Sequence, residues 1–258
     1  MNNRAARQFD IMVSKSGHST ARTAALKGMN MNDKIEEFEM TLCKICGSET
    51  RRLYDPQMMD CYHVCPFCDY IFLDEEGYAS FEDEKTRYME HDNSYENEGY
   101  RDFLEGFLEA AVFPFGNGFK RALDFGSGPE PVLARIMREK HGIETDIYDL
   151  HFSPDREYMD KKYDLIVATE VLEHLKDPVE TLSGLKERLE PNGLLSVMTL
   201  FHHVDDKAFL GWHYRRDKTH IGFFTAKTLE IAGRAAGLEL IHADGKRIAT
   251  FKKRIECP

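Results

Sequence analysis

The chain has 258 residues, a formal net charge of −11 and an isoelectric point near 5.5. This length suits one domain of ordinary size with a small addition, and it can bury a sizeable core without disulfides. The acidic charge disfavours loose binding to nucleic acid, so we do not expect nucleic acid as a partner. No apolar run approaches the roughly 18 residues of a membrane span, so we expect no membrane-spanning segment.

Residues 1–31 differ from the rest of the chain, because they carry five basic residues, one acid and little apolar periodicity. Three interpretations stay open: a disordered tail, a start codon placed too early with Met29 or Met31 as the true start, and a transit peptide. We extend the expected disordered tail to residues 1–40. The segment has no long apolar region of the secretory type, and we expect a cytoplasmic protein.

Two C-x-x-C pairs, separated by 18 residues, dominate residues 41–75. Four thiolates at this spacing form a closed tetrahedral zinc site, which is structural rather than catalytic. Gly47 follows the first pair and supplies the left-handed backbone that such a turn needs, and Asp69 holds the equivalent place after the second. The sequence therefore predicts a small zinc ribbon whose ligands are Cys43, Cys46, Cys65 and Cys68.

The remaining cysteines leave alternatives at this site. Cys61 or His63 lies close enough in sequence to replace one ligand, and the two pairs can also be reduced thiols without metal. Cys257 is expected to be a free thiol.

Residues 76–114 are predicted to be a linker followed by a helix that packs on the main domain. The helical part is indicated by five apolar side chains at helical spacing: Tyr100, Phe103, Leu104, Phe107 and Leu108.

The remainder, residues 115–258, alternates apolar strand-like runs with helical patterns. Such alternation is typical of α/β domains with a mostly parallel, Rossmann-like sheet and helices on both faces. The predicted strands are 120–125, 143–149, 163–168, 193–200, 238–243 and 247–252.

The first of these strands runs into a glycine loop, "LDFGSG" at 123–128. A dinucleotide fingerprint needs a third glycine where this chain has Pro131, and a P-loop needs a G-K-[ST] sequence that is absent. Pro131 instead suits a first helical turn. The loop therefore matches neither of these two phosphate-binding motifs, and it fits a cofactor without a pyrophosphate better.

Four ordered motifs together resemble the class I S-adenosylmethionine-dependent methyltransferases, most closely the branch with the ubiquinone-biosynthesis O-methyltransferases. They are "LDFGSG" (123–128), "KKYDLIVATEVLEHLKDP" (161–178), "LEPNGLLSVMT" (189–199) and "THIGFFTAKTLEIAGRAAGLEL" (219–240). The resemblance implies S-adenosylmethionine as the cofactor. It also implies the cofactor-binding residues, which are Asp124, Gly126, Ser127, Gly128, Asp149 and Glu170.

In this interpretation Asp149, 25 residues after Asp124, accepts from the ribose hydroxyls. Only 13 residues separate Asp149 from Tyr163, where the family places a helix and a third strand. We therefore expect that strand to be missing or reduced.

The "TEVLEHL" stretch places Glu170, Glu173 and His174 at i, i+3 and i+4, which predicts one shared helix face. In the ubiquinone-pathway enzymes a similar E-x-x-E-H helps to bind a divalent metal, and His220 matches the later histidine. The resemblance thus implies a second divalent metal at these four residues. Packing and capping roles without metal stay open, and His174 or His220 is then the expected general base.

These observations predict an S-adenosylmethionine-dependent methyltransferase that acts on a small molecule, at oxygen. The aromatic segment 209–220 either walls the acceptor pocket or packs as a flap. Two alternatives remain: an RNA methyltransferase that reads through its ribbon, which the acidic charge disfavours, and a non-catalytic zinc-ribbon scaffold that retains the methyltransferase fold.

Overall fold

The computed structural model describes residues 41–90 and 93–254, which contain ten strands and six α-helices. The strands are β1 (Arg51–Asp55), β2 (Asp60–Val64), β3 (Ile71–Leu73), β4 (Arg121–Phe125), β5 (Glu144–Tyr148), β6 (Tyr163–Thr169), β7 (Leu189–Met198), β8 (Gly222–Phe223), β9 (Leu238–Ala243) and β10 (Ile248–Lys253). The helices are α1 (Phe81–Met89), α2 (Glu98–Ala111), α3 (Val132–His141), α4 (Pro178–Arg188), α5 (Asp206–Gly211) and α6 (Ala226–Ala235). The predictions for residues 1–40 and for Cys257 lie outside the described residues.

A small antiparallel sheet, in the order β1-β2-β3-β8, contains the cysteine-rich segment. Gly47 and Asp69 both have left-handed backbone, with φ values of 72° and 63°, as the two C-x-x-C turns predicted. The last strand of this small sheet, β8, comes from far along the chain, since Ile71 of β3 pairs with Phe223 and Phe72 pairs with Gly222. The cysteine-rich segment is thereby joined to the larger part of the protein through backbone hydrogen bonds.

The larger sheet has six strands in the order β5-β4-β6-β7-β10-β9. Strands β5, β4, β6 and β7 are mutually parallel, whereas β10 runs antiparallel to both of its neighbours. The central strands are apolar along most of their length because both faces are covered, as parallel sheets require. The predicted α/β fold class is confirmed, and each of the six predicted strand runs corresponds to a strand of this sheet.

Helices cover both faces of the large sheet, in two separate cores. Leu104 of α2 and Ile136 of α3 pack in one buried cluster, and Leu182 of α4 and Leu229 of α6 pack in the other. The predicted helix after residue 98 is α2, whose first turn is capped where the Asn97 side chain accepts from the Tyr100 N–H. Among the described residues, no helix is both long enough and apolar enough to pass through a membrane.

Residues 150–162 form no strand of the sheet and contain one 3-10 turn, Glu157–Asp160. The expected reduction of the third strand is therefore present, and β5 becomes the edge of the sheet.

Helix α1 was not predicted from the sequence. The Ser80 side chain caps it by accepting from the Asp83 N–H, and none of its residues is buried. Its missing apolar stripe explains why hydrophobic periodicity did not reveal it.

Candidate functional site

The glycine loop begins where β4 ends, and two of its residues have left-handed backbone. Gly126 has φ of 81° and Gly128 has φ of 68°. A Cβ atom on Gly126 would lie 2.3 Å from Val171 Cγ2, so only glycine fits there. Nothing lies within 4 Å of the corresponding position on Gly128. The loop therefore packs tightly on one side and has open space on the other, as a ligand cradle requires.

Asp124, the fourth residue of β4, is buried and acts on the helix that follows the loop. Its Oδ2 accepts a 3.1 Å hydrogen bond from the Ala134 N–H in the first turn of α3. Pro131 at the start of that helix provides no side-chain cap, so Asp124 takes this role. Burial raises the pKa of Asp124 to about 7.

Asp149 follows β5 and ties two loops together. Its Oδ2 accepts from the Gly128 N–H at 2.9 Å, and its Oδ1 accepts from the His151 and Phe152 N–H groups at 2.8 and 3.0 Å. A carboxylate has about four acceptor positions, so one remains for a ligand hydroxyl. Ser127 Oγ, in the same loop, is buried and has no hydrogen-bond partner among the described residues.

These observations test the loop against S-adenosylmethionine, which has vicinal ribose hydroxyls and an amino-acid group. The carboxyl ends of β4 and β5 bring three suitable groups together. They are the unpartnered Ser127 hydroxyl, the left-handed Gly128 with open space beside it, and the Asp149 carboxylate with one free acceptor position. Ligands of open α/β sheets bind at this edge. The residues present fit the cofactor.

The prediction that Glu170, Glu173 and His174 share one helix face is wrong. Glu170 has left-handed backbone with φ of 53°, and the next residues form only a 3-10 turn, Leu172–His174. Helix α4 starts only at Pro178. A helix running from residue 170 through this position would need a hydrogen bond from the N–H of residue 178, and proline has none.

Tyr214 nevertheless brings the two glutamates together. Its hydroxyl lies 2.9 Å from Glu170 Oε2 and also within hydrogen-bonding distance of Glu173 Oε1. Burial raises the pKa of both carboxyls, and at Glu170 the charge of Glu173 adds to the effect. A phenol has one hydrogen to donate, so the second contact needs a protonated carboxyl, which these raised pKa values favour.

The two histidines lie beside this pair, with ring centroids 4.8 Å apart. The His174 Nδ1–H donates to the Thr219 carbonyl at 2.9 Å, and the His220 Nδ1–H donates to the Tyr214 carbonyl at 2.8 Å. In these tautomers the lone pair is on Nε2, the arrangement typical of metal ligands and of general bases. Burial lowers the pKa of His174, which keeps its imidazole neutral near pH 7.

Three of the four predicted ligands of a second metal come together. Ligand atoms of Glu173, His174 and His220 lie within 4.8 Å of one another, whereas Glu170 is not part of this group. Glu173 Oε2 is buried without a hydrogen-bond partner among the described residues. Two imidazoles and a carboxylate are a suitable donor set for a divalent transition metal.

The cysteine cluster contains all four predicted ligands and excludes the two alternatives. Its thiols approach in two pairs, since 3.5 Å separates Cys43 Sγ from Cys68 Sγ and also Cys46 Sγ from Cys65 Sγ. Tetrahedral zinc with bonds of about 2.3 Å places its sulfurs about 3.8 Å apart, so the donor set fits this ion.

The two alternative ligands have other partners. Cys61 Sγ accepts from Arg52 Nε at 3.1 Å, and His63 Nε2 lies 3.1 Å from Asp74 Oδ2.

Helix α1 adds contacts that the sequence did not predict. It reaches both parts of the site: Glu84 Oε2 lies 3.3 Å from His151 Nε2, Arg87 Nε donates to Asp217 at 2.9 Å, and the Tyr88 ring meets the His174 ring at 5.2 Å. Tyr214 was also missed as a site residue, although it lies inside the aromatic segment 209–220.

A family model described as "Methyltransferase domain" matches residues 89–243. A ubiquinone biosynthesis O-methyltransferase from Aeromonas salmonicida (strain A449) is 25% identical over 140 residues. That alignment covers 50% of this chain and 58% of the relative, so the chain spans little more than half of that protein's length.

Two solved structures are also similar. The mitomycin 7-O-methyltransferase is 14% identical with a TM-score of 0.49, over 69% of this chain and 64% of that one. A methyltransferase of calicheamicin biosynthesis, in its SAH-bound form, is 17% identical with a TM-score of 0.42, over 59% and 55%.

Proposed function

Because this chain belongs to the family of methyltransferase domains, we propose that it transfers the methyl group of S-adenosylmethionine to an oxygen of a small-molecule acceptor. The observation that carries this proposal is the loop after β4, where Ser127 Oγ is unpartnered and Gly128 donates to Asp149.

In this proposal each loop residue has a distinct task. Gly126 and Gly128 let the backbone approach the cofactor, Ser127 supplies a hydroxyl, and Asp149 accepts from the ribose. Asp124 acts indirectly, because it holds the start of α3 and thereby the loop between them. Bound S-adenosylmethionine supplies an electrophilic methyl group on a sulfonium, so the protein mainly has to align the acceptor and exclude water.

The acceptor side is assigned to the cluster around Tyr214. Without a metal at this cluster, His174 or His220 removes the proton from the acceptor hydroxyl, through the Nε2 atom that each tautomer leaves with a lone pair. Glu170 lies where it can contact cofactor or acceptor. A divalent ion held by Glu173, His174 and His220 would lower the pKa of the acceptor hydroxyl.

We also propose the organisation and location of the protein. Residues 41–75 form a structural zinc ribbon, 76–114 pack on the main domain, and 115–258 form the methyltransferase domain. The close cysteine cluster supports the zinc site. We place the protein in the cytoplasm, because C-x-x-C pairs that bind zinc are typical of reducing compartments.

The test is calorimetric titration of S-adenosylmethionine and S-adenosylhomocysteine into the zinc-loaded protein and into its Asp149→Ala variant. We expect micromolar binding to the first and a loss of at least about a hundredfold in the variant, since a charge-assisted contact is removed and the loop is released. Glu144→Ala, a change at the exposed start of β5, is the matched control. A folded wild-type protein that binds neither compound would contradict the proposal.

A further inference from the structure

A cavity of about 110 Å³ lies between the zinc-ribbon segment and the segment that follows α5. On the ribbon side its wall includes Asp60, Tyr62 and Leu73. On the other side it includes Arg215, Asp217, Lys218 and His220. A cavity of this volume holds several water-sized groups, so it suits the arm of a small molecule and not a macromolecule.

Both walls of this cavity are fixed by the fold. The pairing of β3 with β8 joins the ribbon to the polypeptide just after His220. Arg215 forms an ion pair with Asp55, and the side chains of both residues are only 1% exposed. A buried, paired guanidinium of this kind costs several kcal/mol to break, so the β1–β2 turn and the aromatic segment hold a constant separation.

His220 connects this cavity to the proposed reaction centre. It lines the cavity, and it also belongs to the cluster with Glu173 and His174. A molecule with one end at His220 can therefore extend along the ribbon wall. The ribbon thus contributes surface to the acceptor side.

The wall contains two acids, Asp60 and Asp217. Asp217 is already bound by Arg87 and by the Thr219 hydroxyl, so Asp60 is the acid that a ligand can reach. Its carboxylate has no hydrogen bond or ion pair among the described residues. The charges that face it are those of Asp55, Lys218 and Arg215. Burial and the neighbouring Asp55 raise the pKa of Asp60, as expected for a carboxylate with too little counter-charge.

The two cations do not remove that deficit. Arg215 is already bound to Asp55. Lys218 lines the cavity but is exposed, and among the described residues it forms no ion pair with Asp60. Asp60 therefore offers a fixed, partly desolvated acceptor to whatever enters the cavity.

We propose that this cavity is a subsite for the methyl acceptor, in which Asp60 of the ribbon binds a positively charged arm of the substrate while His220 faces its reacting hydroxyl. The inference rests on the proposed function for the position of the reaction, but the cavity's preference for a cation can be measured separately. It makes the ribbon a specificity element in addition to a zinc site.

The experiment uses two catechols that differ in the charge of their side arm, dopamine (positive) and 3,4-dihydroxyphenylacetate (negative). Dissociation constants are measured by calorimetry on the zinc-loaded full chain with S-adenosylhomocysteine present. We expect dopamine to bind at least about tenfold more tightly. Asp60→Asn is expected to bring the two affinities within about twofold of each other.

Two further variants separate the cavity from general charge effects and from misfolding. Lys218→Gln, at an exposed position, is expected to increase the preference for dopamine. Glu76→Gln removes an exposed acid directly after the ribbon that does not line the cavity, and it is expected to leave the preference unchanged.

Each result decides the proposal. Equal affinities for the two catechols, no binding of either, or a preference that persists in Asp60→Asn overturns it. If the wild-type protein prefers dopamine but binds no S-adenosylhomocysteine, the proposed reaction fails while the cation subsite stands. If it binds S-adenosylhomocysteine without a charge preference, only the subsite fails.

Discussion

The carboxylate of Asp149 is joined to the glycine loop, because its Oδ2 accepts a 2.9 Å hydrogen bond from the Gly128 N–H. The two residues follow β5 and β4, neighbouring parallel strands whose carboxyl ends meet at one edge of the sheet. The protein itself thus fixes the shape of the loop.

Ser127→Ala removes a buried hydroxyl that has no partner among the described residues. The folded protein loses no hydrogen bond, so we expect the melting temperature to stay the same or rise. Affinity for S-adenosylhomocysteine is expected to fall about three- to tenfold, the value of one hydrogen bond. Calorimetry and thermal unfolding provide the two readings, and Ser183→Ala in α4 is the control. Unchanged affinity would exclude a cofactor contact by Ser127.

Gly126→Ala adds a Cβ atom 2.3 Å from Val171 Cγ2 at a residue with φ of 81°. The left-handed backbone costs about 1–2 kcal/mol for any other residue, and overpacking adds about 1–3 kcal/mol.

Gly118→Ala is the matched control, since it has φ of 68° and nothing within 4 Å of its added Cβ. Urea unfolding should show a loss about twice as large for Gly126→Ala. Equal losses would mean that Val171 moves aside.

Asp124 makes stability depend on pH. Its folded-state pKa of about 7 exceeds the ordinary value of 3.8, so the folded protein retains a proton that the unfolded chain releases. The stability from this group is complete below pH 3.8 and is lost as the pH rises through about 7. Asp124→Asn keeps an oxygen acceptor for Ala134 but does not titrate.

Between about pH 5 and pH 7 we therefore expect the wild type to lose about 2 kcal/mol more stability than Asp124→Asn does. Urea unfolding at several pH values measures this difference. Parallel pH profiles for the two proteins would rule out a raised pKa at Asp124.

The zinc proposal predicts opposite behaviour for two cysteines of the ribbon. Cys65→Ser removes one of the four clustered thiols and should abolish stoichiometric zinc and lower the melting temperature. Cys61→Ser removes a thiol that contacts Arg52 outside the cluster, so zinc should be retained. Metal analysis of both purified variants gives the result, and loss of zinc from Cys61→Ser would restore it as a candidate ligand.

Local patterns were enough to predict much of the fold. The apolar runs around Leu123 and Leu165 marked buried strands because a parallel strand is covered on both faces. The short spacing from Asp149 to Tyr163 indicated the missing strand, because a helix and a strand need more residues than it contains. The predicted helix from Glu170 was wrong. The helix in this region, α4, begins at Pro178, which comes after both glutamates in the sequence.

By itself, the sequence determined the two C-x-x-C turns, the glycine loop and the positions of the strands along the chain, because each depends on residues close together in the chain. Only the tertiary structure decided that Tyr214 joins Glu170 to Glu173, that α1 contacts both parts of the site, and that the ribbon forms one wall of a cavity beside His220. The physical reason is separation along the chain: Tyr214 is 44 residues from Glu170, and packing over such distances leaves no periodic pattern in the sequence.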